Sequence, residues 1–421
     1  MTNILNKKIF EEKYYKYIFF LYLLIPLFLL TGPALPELLV ILIDFIFLIY
    51  IFKYKKYKLF KKNFFYFFLF FYLILILSSL FSNDIQLSLK SAIPYIRFGI
   101  FILAVNYIFE NYLNLEFLLD KLYKILILIL FILFIDSTYQ AIYHKNIFGF
   151  KIDGTLRVSS VFGSELIMGG FVMRVTMLLI AILIFLKKNK YFFFLIIPIS
   201  YLLIIYSGER TAFYLFSIFN LILFIKFNIY KNKKNNLKIF LISAVIILIF
   251  FKSVFFNRIF VTTFSQIKIQ HQEYYKIVAF TPTHQELYVT AFNIFKKYPI
   301  FGSGLKTFRT ECNNKNYNQS ELGCSTHPHN FYIQILSEVG IFAFIIFVIA
   351  YLYISKFIFK ELNISQSSNL RKFEYVLYLS FFVILFPFSP SGNFFNNWLS
   401  IMIFYSAGIL TALTKYKKAQ A

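Results

Sequence analysis

The chain has 421 residues, of which 59% are hydrophobic, 22% aromatic and only 15% charged, a balance too apolar for a water-soluble protein of this length. With 60 Phe, 32 Tyr and 14 Gly it is not collagen-like, disordered or coiled-coil, because each of those needs an opposite bias. The excess of 43 Lys+Arg over 19 Asp+Glu would suggest a nucleic-acid surface in a soluble protein, so the positions of the cations have to be read before their number.

Apolar stretches of about the length a helix needs to cross hydrocarbon recur at 17–30, 36–52, 64–81, 91–109, 122–139, 166–186, 191–207, 211–228, 238–256, 330–355, 374–389 and 395–413. They predict an all-α polytopic membrane protein of about twelve spans. Lysines crowd every second connection, at Lys7–Lys16, Lys53–Lys62, Lys187–Lys190, Lys226–Lys238 and Lys415–Lys418. The turns at 31–36, 207–211 and 387–397 carry almost none. The positive-inside rule then predicts both termini in the cytoplasm, so the net charge reports topology and no nucleic acid is implied. The first lysines and Tyr17–Leu30 imitate a secretory signal, but no small-residue cleavage site follows and the segment reads as an uncleaved first helix. Without repeats or linkers, residues 1–421 read as a single integral membrane domain.

Two segments predicted to face outward exceed a tight turn, 136–165 and, between the ninth and tenth spans, 257–328. All five histidines (His144, His271, His284, His327 and His329) and both cysteines fall at these two loops or their edges. The seven arginines are also unevenly placed. Arg97 and Arg174 fall inside predicted spans, Arg157, Arg258 and Arg309 in the outer segments, Arg210 at an outer turn, and only Arg371 in a cytoplasmic loop. A guanidinium binds phosphate through paired hydrogen bonds and keeps its charge when partly desolvated, so a phosphate ligand at the outer face is one reading. Pairing of Arg97 and Arg174 with buried acids such as Asp44 is the other.

Cys312 and Cys324 bracket a polar segment facing a compartment expected to be oxidising, which favours a disulfide worth about 3 kcal/mol. A zinc site with His327 or His329 lacks the paired short spacings of such sites. Upstream, Thr283 and Glu286 fit a capping box for an amphipathic helix over 283–298, with Leu287, Ala291, Ile294 and Phe295 on one face. The glycines of PIFGSG, residues 299–304, followed by Arg309, allow either an ordinary turn or backbone amides gathered at an anion. In Ser325–Gly340, STHPHNFYIQILSEVG, Pro328 opens the tenth span and puts His329 and Asn330 in its first turn. There the helix dipole favours a neutral imidazole beside an anion, suited to removing a proton from a sugar hydroxyl. Polar capping of the helix is the alternative, and Glu338 lies deeper on the same helix.

These residues resemble the O-antigen ligase and polymerase superfamily. His329, Asn330 and, after nine intervening residues, Gly340 fit the ligase pattern, although Ala343 stands where that pattern prefers Gly, Thr or Tyr. Paired His327 and His329, the PIFGSG turn, the long loop and Arg210 in SGERTAF are similar too. RVSSVFGSEL, starting at Arg157, resembles the segment before the sixth span with Gly163 and Ser164 replacing the commoner Pro and Asn. By motif the resemblance covers about 150–345. It implies a GT-C-type membrane glycosyltransferase of the bacterial inner membrane, metal-independent and inverting, needing no cofactor, with its active site in the periplasm. The donor would be an undecaprenyl-diphosphate-linked glycan and the acceptor lipid A core. His329 and Arg210 would be catalytic, with His327, Asn330, Arg309, Arg157 and Arg174 binding substrate. An O-antigen polymerase, a protein O-oligosaccharyltransferase and, from a different class, a polytopic transporter or flippase compete with the ligase reading; against the last, no paired Gly- or Pro-broken helices occupy corresponding halves.

Overall fold

The computed structural model describes residues 2–111, 114–152, 157–188, 190–227, 257–266, 270–272, 274–276, 281–361 and 363–418. The predicted ninth span, 238–256, lies outside the described residues, as does Asp153. In chain order the longer helices are α1 (Thr2–Phe28), α2 (Ala34–Lys53), α3 (Asn63–Leu80), α4 (Ile85–Ala92), α5 (Ile96–Asn111), α6 (Leu115–Tyr143), α7 (Met168–Phe185), α8 (Lys190–Ser207) and α9 (Arg210–Lys226). They continue with α10 (Pro282–Lys297), α11 (Phe331–Val339), α12 (Ile341–Lys360), α13 (Asn369–Ile384) and α14 (Asn397–Lys418). Two short strands, β1 (Gln270–Gln272) and β2 (Tyr274–Lys276), pair antiparallel with His271 opposite Tyr275. Among the described residues six helical segments are long and apolar enough to cross a membrane, at 14–31, 34–53, 63–80, 85–111, 168–185 and 341–360, and two shorter apolar ones lie at 195–207 and 397–413. The protein is a helical, multi-pass membrane protein.

The predicted tenth span is two helices. α11 ends at Gly340, whose φ of 89° is a conformation only glycine adopts readily, and α12 restarts at Ile341. The PIFGSG turn holds the break in place. Ser303 N donates to Ser337 O at 3.0 Å, Gly304 N to Glu338 O at 2.9 Å and Ile341 N to Pro299 O at 3.0 Å. The first two satisfy carbonyls that the end of α11 would leave unpaired, and the third an amide at the start of α12. A Cβ on Gly302 would meet the Glu338 carbonyl carbon at 2.3 Å, and one on Gly340 the Ile300 oxygen at 2.2 Å. The glycines therefore serve backbone-to-backbone contact, and the turn's Ser303 and Gly304 amides face a helix end instead of an anion.

The chain forms two compact units. The first comprises Met1–Leu115, Val278–Leu352 and Pro387–Ala421, the second Glu116–Ile277 and Tyr353–Phe386. In the first, α5 is buried against α14, where Gly408 brings the backbone against Val105 and Gly99 makes room for the Phe68 ring. Tyr22 stacks on Tyr405 at 4.1 Å between ring centroids. Arg97 pairs with Glu37 at 3.1 Å and donates to Asn397 Oδ1 at 2.8 Å. Glu37, Arg97 and Asn397 all stand near helix starts, so one ionic group ties α2, α5 and α14 together. The expected partner Asp44 is buried in α2 with neither carboxylate oxygen hydrogen-bonded. In the second unit α7 is the central helix and packs on α8, α9 and α13.

Candidate active site

In the first unit, the loop preceding α11 carries the histidines. His329 precedes the helix and does not enter its first turn, contrary to expectation, because Asn330 is the cap. Asn330 Oδ1 accepts from Tyr332 N at 2.9 Å and Ile333 N at 3.1 Å, while Nδ2 donates to Pro387 O at 2.8 Å and Ser389 O at 3.2 Å. An Asn in this position satisfies orphan helix amides, and here its whole amide is engaged in structure. His329 has φ 55°, a conformation uncommon outside glycine that is found where a fold holds a functional side chain under strain. Its carbonyl accepts from Ser391 N at 2.8 Å. The segment 387–391 thus clamps the loop from the far end of the sequence, a tertiary contact that no local pattern revealed.

Three imidazoles meet there. The His327 and His329 rings lie 4.0 Å apart between centroids, and His284, on α10, approaches His329 at 5.6 Å and nearly perpendicular. His327 is 9% exposed, its Nδ1 lies 3.0 Å from Thr326 Oγ1, and its Nε2 is buried without a hydrogen-bond partner. Such an atom costs free energy until something bonds to it. Burial, then the neighbouring His329, lowers His327 to about 3. Burial also lowers half-buried His329, opposed by the Ser391 backbone. Both rings are therefore neutral near pH 7, and His329 is the better placed of the two to carry a proton.

α10 begins at Pro282 with Thr281 as its cap, one residue before the expected start at Thr283, because proline takes the first helical position and the Thr281 hydroxyl bonds His284 N. Its apolar face, Leu287, Ala291 and Ile294, buries with Phe308 and Cys312. Cys312 is bridged to Cys324, which pins the loop leading to His327. Arg309 is exposed on the helical turn Phe308–Glu311 and acts on His327. Half-buried Lys306 beside it, at φ 60°, is lowered by burial and then by Arg309. Glu338 is buried, accepts from Phe308 N at 3.1 Å and Gln334 Nε2 at 2.9 Å, and is pushed up to about 7, first by desolvation. It braces the PIFGSG turn against α11.

The second unit gathers arginines around one acid. Glu209 accepts from Gly169 N at 2.8 Å and Gly170 N at 3.1 Å, at the start of α7, and lies 3.9 Å from Arg157. Arg157 Nε donates to Ser207 O at 2.8 Å, Arg174 to Gly170 O at 2.7 Å, and Arg258 to Gly208 O at 3.3 Å. Gly208, φ 62°, lies under both Arg157 and Arg258, whose side chains a Cβ would meet at 3.2 and 2.9 Å. Arg210 opens α9, 3.5 Å from Thr263 Oγ1, and is lowered by burial and then by Arg258. Arg157 and Arg174 act on the Glu209 carboxylate, and Arg258 and Arg210 act on each other beside it, so cations outnumber the acid, an arrangement that attracts an anion. Arg258 was absent from the expected site residues; its signal was the scarcity of arginine in a lysine-rich chain. Arg309 belongs to the first unit, and His144 and His271 to the second.

Among the described residues no three His, Cys, Asp or Glu are placed to hold a metal ion. What the described chain does present is a membrane-spanning helical scaffold with a loop of neutral histidines and, in its other unit, an arginine group. Residues 191–348 match the family model described as O-antigen ligase. That stretch includes Arg210, Arg258, His284, His327 and His329, and over it the resemblance to the O-antigen ligase and polymerase superfamily holds. No curated protein gives a match.

Proposed function

We propose that the protein is an O-antigen ligase-like glycosyltransferase that moves an undecaprenyl-diphosphate-linked glycan onto lipid A core at the periplasmic face of the bacterial inner membrane. The observation that carries this reading is His329, a neutral, strained, half-buried imidazole in the region that matches the O-antigen ligase family. His329 takes the proton from the acceptor hydroxyl as that oxygen attacks the sugar carbon. The diphosphate leaves as an anion; the resemblance assigns Arg210 to it, and cations preorganised at developing charge stabilise such a transition state. His327 contacts the glycan in this reading, and Arg309 lends positive charge beside it.

A lipopolysaccharide gel from a strain lacking the gene, with lipid-linked glycan quantified in parallel, tests the reading. Loss of all capped lipopolysaccharide with long lipid-linked chains accumulating is the result expected for a ligase. Core carrying a single repeat unit would assign a polymerase, and an unchanged gel would move the reading to protein glycosylation, another exported glycan or transport.

A further inference from the structure

One member of the histidine group has no part in the transfer just described. His284, in the first turn of α10, sets its ring 5.6 Å from that of His329 at 87°. One helical turn on, Tyr288 brings its hydroxyl to 3.5 Å from the His329 carbonyl oxygen. Residues four apart share a helix face, so α10 meets the histidine loop at two points.

Glycan transfer from a diphosphate to a hydroxyl forms the bond from acceptor oxygen to sugar carbon. It breaks the bond from that carbon to phosphate oxygen, whose electron pair stays on the diphosphate. The hydroxyl proton passes to His329, which has to release it before the next turnover. His327 is a poor outlet, being enclosed and surrounded by the basic groups His329, Arg309 and His284.

We propose that His284 takes this proton from His329 and releases it to the aqueous phase. The proposal rests on the reading of His329 as the base. Two rings at this separation exchange a proton through one bridging water. Thr281 Oγ1, 2.6 Å from His284 Nδ1, holds one ring nitrogen and orients the ring. The same hydroxyl caps α10 by accepting from His284 N, so one side chain fixes both the start of the helix and the orientation of the ring. His284 acts through His329 and touches neither substrate, so it is a relay and positioning residue.

The test uses the purified full-length protein, with His284→Ala, His284→Gln and His329→Ala assayed for transfer over a range of imidazole concentrations at fixed pH. The relay predicts that His284→Ala lowers kcat about 10²-fold, leaves KM unchanged and recovers in proportion to added imidazole, whereas wild type is indifferent to it. His284→Gln, which keeps a polar group beside Thr281, serves if the alanine variant fails to accumulate. Its kcat falls in the same way. A wild-type kcat in either variant, or a loss in His284→Ala that imidazole does not restore, overturns the relay. An active His329→Ala instead removes the base on which the relay depends, so the two failures are distinguishable.

Discussion

Burial of His327 and His329 acts on protonation in one direction. Both folded-state values lie below the ordinary 6.5, so the folded protein binds fewer protons than the unfolded chain where they titrate. The stability they contribute is complete above 6.5 and is lost as pH falls through the folded values, near 3 for His327. The acid limb of kcat/KM, which reports the free enzyme's base, is expected below 6.5. A limb at or above that value contradicts a buried neutral His329. Among the arginines, Arg210→Lys keeps the charge and removes the planar fork. Transfer is expected to fall substantially while donor binding persists, and Arg210→Ala to lose about 10²–10³-fold in kcat. Equal activity of the Arg210→Lys variant and the wild-type protein would show that charge alone suffices.

Helix ends mark where local pattern was overridden. The apolar run at 330–355 reads as one span, and the contacts of the 299–304 turn, distant in sequence, hold it as two. Asn330 carries a capping side chain, but Pro328 two residues earlier signals a helix start as strongly, and the partners that decide between them, Pro387 and Ser389, lie far along the chain. His284 was visible only as one histidine of five, because nothing in the sequence states that α10 packs on the loop before α11. Spans such as 36–52 and 64–81 were legible because their apolar runs are long enough to cross hydrocarbon. Gly340→Ala meets backbone on both counts, steric contact and positive φ, and is expected to destabilise by about 1–3 kcal/mol. Gly149→Ala shares the positive φ, 89°, with nothing within 4 Å of the new methyl, and is expected to cost about 1 kcal/mol. Thermal unfolding in detergent compares them, and equal melting temperatures would remove steric contact as the reason for glycine at 340.

Across the whole molecule, the clustered lysines predict an orientation in the membrane. Reporter fusions after Lys58 and after Lys315 are expected to lie on opposite sides of the membrane, with Lys315 outside. A cytoplasmic Lys315 would put the histidine loop on the wrong side for a periplasmic transfer. The family match covers Arg210, Arg258 and the three grouped histidines, and the two groups were legible in the sequence to different degrees. The arginines stood out by rarity, and the histidines by their fit to a known motif. The central claim, that His329 performs the transfer, is tested most directly by assaying purified His329→Ala with lipid-linked glycan and lipid A core. Abolished transfer, with wild-type membrane abundance and unfolding temperature, is the predicted result, and transfer at a near-normal rate would contradict it.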